Sequence, residues 1–108
     1  MTPKQFLKYR QRDFDRCPHC GDDTTLVGQH RKNRGMGGSK ERDKPANILT
    51  MCSFANNLME TSPLFAAECR DKGWKLESWQ NPEEVPFFDE CDGFWYLIDN
   101  NFGRKRIG

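Results

Sequence analysis

The chain has no long hydrophobic run. None of its apolar stretches comes near the ~20 residues that a bilayer-spanning helix needs. Residues 1–17 hold no apolar block of the kind a secretory leader carries. The sequence therefore predicts a cytoplasmic protein with no membrane partner. Apolar residues are scarce throughout, at 35%, and the formal net charge is only +1. A length of 108 residues suits one domain. A domain of that size buries proportionally little surface, so its core is small, and such cores often need a staple, either a metal or a disulfide. Disorder is excluded by eight Phe, three Trp and two Tyr, which are material for a core. Five cysteines in a reducing compartment point to metal ligation or buried thiols ahead of disulfides. There is no internal repeat and no low-complexity segment.

The small net charge conceals a segregation. Residues 30–44 carry Arg31, Lys32, Arg34, Lys40, Arg42 and Lys44 against Glu41 and Asp43. Residues 81–103 carry Glu83, Glu84, Asp89, Glu90, Asp92 and Asp99 and no basic side chain. Charge runs are ordinarily solvated faces. The basic one gains weight from the residues embedded in it.

Local signals predict an α+β chain. Thr2, Pro3 and Gln5 form a capping-box signature for a short N-terminal helix. Residues 17–21 read as a tight cysteine knuckle, and 24–27 as a strand running on to Gly28, Gln29 and His30. Residues 31–45 have no periodicity, and Gly35, Gly37 and Gly38 mark a loop there. A second strand is predicted at 47–51 and a helix at 52–60. Another helix starts at Ser62-Pro63 and stops at Gly73. Alternation of Trp74, Leu76 and Ser78 with Lys75, Glu77 and Trp79 predicts a strand, with the tryptophans packed in the core. Residues 85–89 and 94–98 read as a hairpin closed by a turn at 91–93.

Cys17 and Cys20, as C-x-x-C, together with Cys52 make three-quarters of a tetrahedral zinc site. His30 follows the first strand into the basic loop, and Asn47 and Asn56 flank the second strand. Taken singly, each of these has an ordinary reading: a structural histidine, a turn asparagine, a helix-cap asparagine. His19, inside the knuckle, reads as surface filler.

In combination they resemble a known family. The run GQHRKNRGMGGSKERDKPANILTMCSFANNLME is similar to HNH endonucleases of the His-Me finger superfamily, in particular the small HNH proteins encoded by bacteriophages of actinobacteria. The likeness covers residues 17–60, thins through 73–80, and does not extend to 1–16 or the terminal hairpin. It implies a single nuclease domain over 1–108, with a ββα-metal core at 17–60 and a helix and hairpin extension at 61–108. It implies metal-dependent hydrolysis of DNA that leaves 5′-phosphate and 3′-hydroxyl ends, in the cytoplasm of a host cell. By the same likeness His30 is the general base, and Asn47 pins the loop that orients it. Asn56 and Gln29 are the ligands of the catalytic divalent metal, Mg²⁺ or Mn²⁺, with Ni²⁺ and Zn²⁺ as further candidates.

General chemistry agrees with those roles. An imidazole accepts a proton near neutral pH. One cation can neutralise both the scissile phosphate and the leaving oxygen. Arg31, Lys32 and Arg34 are placed to grip phosphates beside the cut. Two departures from the family pattern matter. Gln29 brings no charge to a metal, and Ala55 stands where a fourth cysteine is common, which leaves Cys69 and Cys91 to complete the zinc shell or the thiols merely buried. Two rival readings follow: a catalytically degraded nucleic-acid-binding module, and a protein-interaction module whose acidic hairpin engages phage packaging machinery or a host protein.

Overall fold

The computed structural model describes residues 1–33 and 42–108, in which helices and two antiparallel sheets make an α+β fold. The loop expected at Gly35–Gly38 lies outside the described residues, as does Arg34. Helix α1 (Pro3–Arg12) opens on the predicted capping box. The Gln5 N–H donates to Thr2 Oγ1 at 3.1 Å, and the Thr2 N–H donates to Gln5 Oε1 at 2.9 Å. Both exposed donors at the helix start are thereby satisfied.

Strand β1 (Leu26–His30) pairs antiparallel with β2 (Ile48–Cys52), in a register that sets Leu26 opposite Cys52 and His30 opposite Ile48. A short 3₁₀ turn, Pro45–Asn47, leads into β2. Every residue of β2 is buried, because α1 packs on one face of the ribbon and α2 (Ser53–Thr61) on the other. The outer edge of β2 is sealed by side chains. The Thr50 N–H donates to Asp13 Oδ2 at 2.9 Å, and the Arg12 guanidinium donates to the Ile48 carbonyl. Arg12 and Asp13 are themselves paired at 2.8 Å. An exposed edge would offer these groups to another chain, and here they have partners within the fold.

Helix α2 starts directly from β2 with Cys52 as its cap, the Ala55 N–H donating to Cys52 Sγ. Helix α3 (Pro63–Asp71) follows, capped by Ser62. Gly73 ends it at φ +76°, and a Cβ there would stand 2.0 Å from the Pro86 carbonyl oxygen, so only glycine fits. Trp74 is fully buried and donates from Nε1 to the Phe88 carbonyl at 2.8 Å.

The strand expected over 74–79 does not form. Its backbone donors go elsewhere: the Trp74 N–H to the Cys69 carbonyl and the Leu76 N–H to the Arg31 carbonyl, so there is no ladder. Trp74 and Leu76 enter the core as expected, but Trp79 is 80% exposed. The predicted hairpin is present as β3 (Phe87–Asp89) and β4 (Phe94–Ile98). A third strand, β5 (Arg104–Arg106), pairs with β4 and was not foreseen. It is held by Arg104, which lies 3.8 Å from the Tyr96 ring centroid and bonds Asp89 at 2.8 Å. The core joins Leu49 and Met51 of the ribbon, Ala55 and Met59 of α2, and Phe87 and Ile98 of the second sheet. Among the described residues no helix is long and apolar enough to cross a membrane.

Candidate functional site

His30 stands at the end of β1. Its Nε2 lies 2.8 Å from Asp43 Oδ1, and the pair lines a cleft of about 530 Å³ with Lys8, Tyr9 and Phe102. The sequence reading missed Asp43. The signal available for it was slight, one carboxylate between Arg42 and Lys44.

Asn47 is buried and clamps the chain on both sides of the basic loop. Its Oδ1 accepts from the Lys32 N–H at 2.8 Å, and its Nδ2 donates to the Lys32 carbonyl at 3.2 Å and the Arg42 carbonyl at 2.7 Å. The neighbouring Arg31 N–H donates to the Asn47 carbonyl at 2.7 Å. A buried amide with all of these bonds fixes where the chain leaves β1 and where it returns.

Gln29 points the other way, since successive side chains of a strand alternate faces. Its Nε2 donates to the Trp74 carbonyl at 3.0 Å and sits 3.2 Å from Met59 Sδ, on the α2 side of the ribbon. Asn56 is a half-buried residue of α2. His30, the expected base, and Gln29, an expected metal ligand, therefore face opposite sides of the ribbon. Gln29 Oε1 is buried without a partner. Among the described residues the partners of the amide nitrogen are a thioether and a tryptophan carbonyl, neither of which carries charge. Gln29 is thus engaged in the core and does not line the His30 cleft.

Arg31 requires a correction. It was expected to grip phosphate, and it is instead fully buried. Its guanidinium donates to four backbone carbonyls: Gly73 at 2.9 Å, Ala46 at 3.1 Å, Pro82 at 2.9 Å and Val85 at 2.7 Å. Burial pulls its pKa down to about 9, with the Arg12 charge adding to the pull and Asp13 opposing it, so it stays a cation at neutral pH. Lys32 is half-buried and does not line the His30 cleft. It lines a second cleft of about 360 Å³ together with Arg42, Lys44 and Trp79.

The acidic end of the chain is largely paired within the fold. Asp89 is held by Arg16 at 2.9 Å and by Arg104 at 2.8 Å, and Asp92 by Arg16 at 3.3 Å. Glu90 pairs with Lys72. Carboxylates engaged in this way offer little to a basic partner, which weakens the reading of the hairpin as a docking surface.

The cysteine cluster forms as the spacing predicted. The Sγ atoms of Cys17, Cys20 and Cys52 all lie within 4.8 Å of one another, and those of Cys20 and Cys52 are 3.6 Å apart. Tetrahedral zinc with Zn–S of about 2.3 Å sets its sulfurs about 3.8 Å apart, so the cluster can hold a metal such as zinc. Burial pushes the Cys17 thiol up to about 12 and raises Cys52 as well. Without a cation these two groups stay protonated, and a bound dication would deprotonate them. Neither Cys69 nor Cys91 belongs to the cluster. Cys69 is buried in the core, and Cys91 Sγ turns to the Cys17 carbonyl at 3.7 Å. Cys20 is exposed, so a metal held by the three thiols would be open to water as a further ligand.

No family model matches the chain, and no curated protein or solved structure matches it.

Proposed function

We propose that the protein is an endonuclease acting on DNA, with a ββα-metal core built from β1, β2 and α2, His30 as general base and Asp43 as the residue that positions it. The observation that carries this reading is the His30–Asp43 hydrogen bond at 2.8 Å, on a chain segment whose two ends Asn47 clamps. With His30 Nε2–H donating to Asp43, the lone pair of Nδ1 is left to take a proton from water. The water oxygen bonds to phosphorus, the bond from phosphorus to the 3′ oxygen breaks, and the leaving 3′ oxygen takes a proton from solvent water. The products are a 5′-phosphate and a 3′-hydroxyl. Lys32, Arg42 and Lys44 stand next to the pair in sequence and supply positive charge for the phosphates.

The test is incubation of supercoiled plasmid with the pure protein in Mg²⁺, Mn²⁺, Ni²⁺, Zn²⁺ or EDTA. Nicked and linear products that appear with a divalent ion and vanish in EDTA are expected. Binding without cutting under every condition would leave the second reading, a nucleic-acid-binding module that has lost catalysis. That reading is favoured by the burial of Gln29 among neutral groups.

Zinc at Cys17, Cys20 and Cys52 is the staple proposed for this small core. Metal binding free energy is folding free energy in such domains. A loss of only ~2 kcal/mol lowers the melting temperature of a domain this size by about 10 °C. Cys52→Ser and a zinc chelator are each expected to lower it by at least that much, whereas Cys91→Ser leaves it nearly unchanged. Metal analysis that finds no zinc, with melting indifferent to the chelator, would remove the staple.

A further inference from the structure

The second cleft has a composition that proton transfer at His30 does not use. Its wall carries the cations Lys32, Arg42 and Lys44 and the indole of Trp79. Trp79 is 80% exposed and sits on a braced turn. The Glu77 N–H donates to Gln80 Oε1 at 2.7 Å, and the Gln80 N–H donates to the Glu77 carbonyl at 3.1 Å. Just beyond it, the carbonyls of Pro82 and Val85 are held by the Arg31 guanidinium. The indole is thus presented from a fixed platform. Glu83, the one carboxylate on this wall among the described residues, accepts from the Asn100 N–H at 3.2 Å. A volume of about 360 Å³ is within the range of small-ligand pockets, roughly 300–1,000 Å³.

An aromatic face beside clustered cations is the chemistry of an unpaired nucleotide: the base stacks and the flanking phosphates meet the charges. A paired base keeps its face inside the duplex and cannot use the indole. The position relative to His30 also matters. Asp43 lines the His30 cleft, while its two neighbours Arg42 and Lys44 line the Trp79 cleft, so one ridge of chain separates the two. We infer that this cleft binds an unpaired DNA nucleotide, stacked on Trp79, and delivers the adjoining phosphodiester across the ridge to His30. The protein's substrate is then single-stranded or locally opened DNA. The last step rests on the nuclease reading, and the binding step does not.

The test is a binding measurement with no added Mg²⁺ or Mn²⁺ and no chelator, so that metal held by the cysteines stays in place. Anisotropy of a labelled oligo-dT strand and of a fully paired hairpin is compared for wild type, Trp79→Ala and Trp79→Phe. Wild type is expected to prefer oligo-dT. Trp79→Ala is expected to bind oligo-dT about tenfold or more weaker, the size of one lost base–aromatic stack, with hairpin binding unchanged. Trp79→Phe restores most of the affinity. The side chain is exposed, so the melting curves of all three should coincide and the comparison is free of folding effects. Equal binding of oligo-dT by wild type and Trp79→Ala overturns the inference while leaving the nuclease reading standing. Competition by polyglutamate as effective as by unlabelled oligo-dT also overturns it, because the cleft would then be reading charge alone. Plasmid cutting abolished by His30→Ala but untouched by Trp79→Ala would place catalysis at His30 and remove the proposed delivery route.

Discussion

Replacing Arg31 with methionine is expected to destabilise the protein by ~3–5 kcal/mol, the cost of several buried acceptors left unsatisfied less the desolvation relieved. Methionine keeps much of the volume and relieves the desolvation of the guanidinium. It leaves the carbonyls of Gly73, Ala46, Pro82 and Val85 without their donor. Each buried group left unsatisfied costs ~1–3 kcal/mol, so the carbonyls outweigh the relief. Domains of this kind have only ~5–15 kcal/mol in total. Thermal melting by circular dichroism reads the effect directly, as a fall well beyond 10 °C. If the side chain instead acted on phosphate, the variant would melt like wild type and bind DNA more weakly. That pair of results would reverse the assignment made here.

His30→Ala is expected to lower plasmid cutting by about 10²–10⁴-fold, the contribution of a general base. The side chain is 30% exposed at the rim of a cleft, so its removal opens no core cavity and melting should stay within a few degrees. Asp43→Asn is the informative companion. It keeps an acceptor for the ring but removes the carboxylate, so its activity should fall between wild type and His30→Ala. A residue that positions the base acts on turnover, so kcat should drop while KM is held. A change confined to KM would make Asp43 a substrate contact. Full activity in pure His30→Ala protein would dismiss the imidazole from the chemistry.

Features decided by neighbours in sequence were readable in advance, and features decided across the fold were not. The capping box at Thr2 and Gln5 closes within four residues, so composition and spacing were enough. The knuckle was readable for the same reason, and the two-strand ribbon then carries Cys52 to it. Arg31 looked like its basic neighbours because nothing near it in sequence discloses the carbonyls that surround it. Trp74 and Trp79 share one alternating segment, but the donors of that segment were claimed by Cys69 and Arg31, so the alternation did not become a strand. Strand β5 is Arg-Lys-Arg, with no apolar pattern, and forms through stacking and ion pairing of Arg104. At the candidate site, His30 and Asn47 stood out by residue type and position. Asp43 and the exposure of Trp79 depended on how the chain returns from the basic loop and on the braced turn.

The partners of Arg31 lie 15, 42, 51 and 54 positions along the chain from it. Three separate stretches must converge before its fork of donors has anything to bind. The closure entropy of those loops comes first and the reward last. Arg31 therefore engages after the folding barrier has been crossed, as a latch on structure already assembled. Interactions formed that late slow unfolding and leave the folding rate alone. In a chevron plot of the milder Arg31→Lys, the unfolding arm should rise while the folding arm stays where it was, giving a φ-value near zero. The lifetime of the native protein, more than the speed at which it forms, is then set by one buried cation.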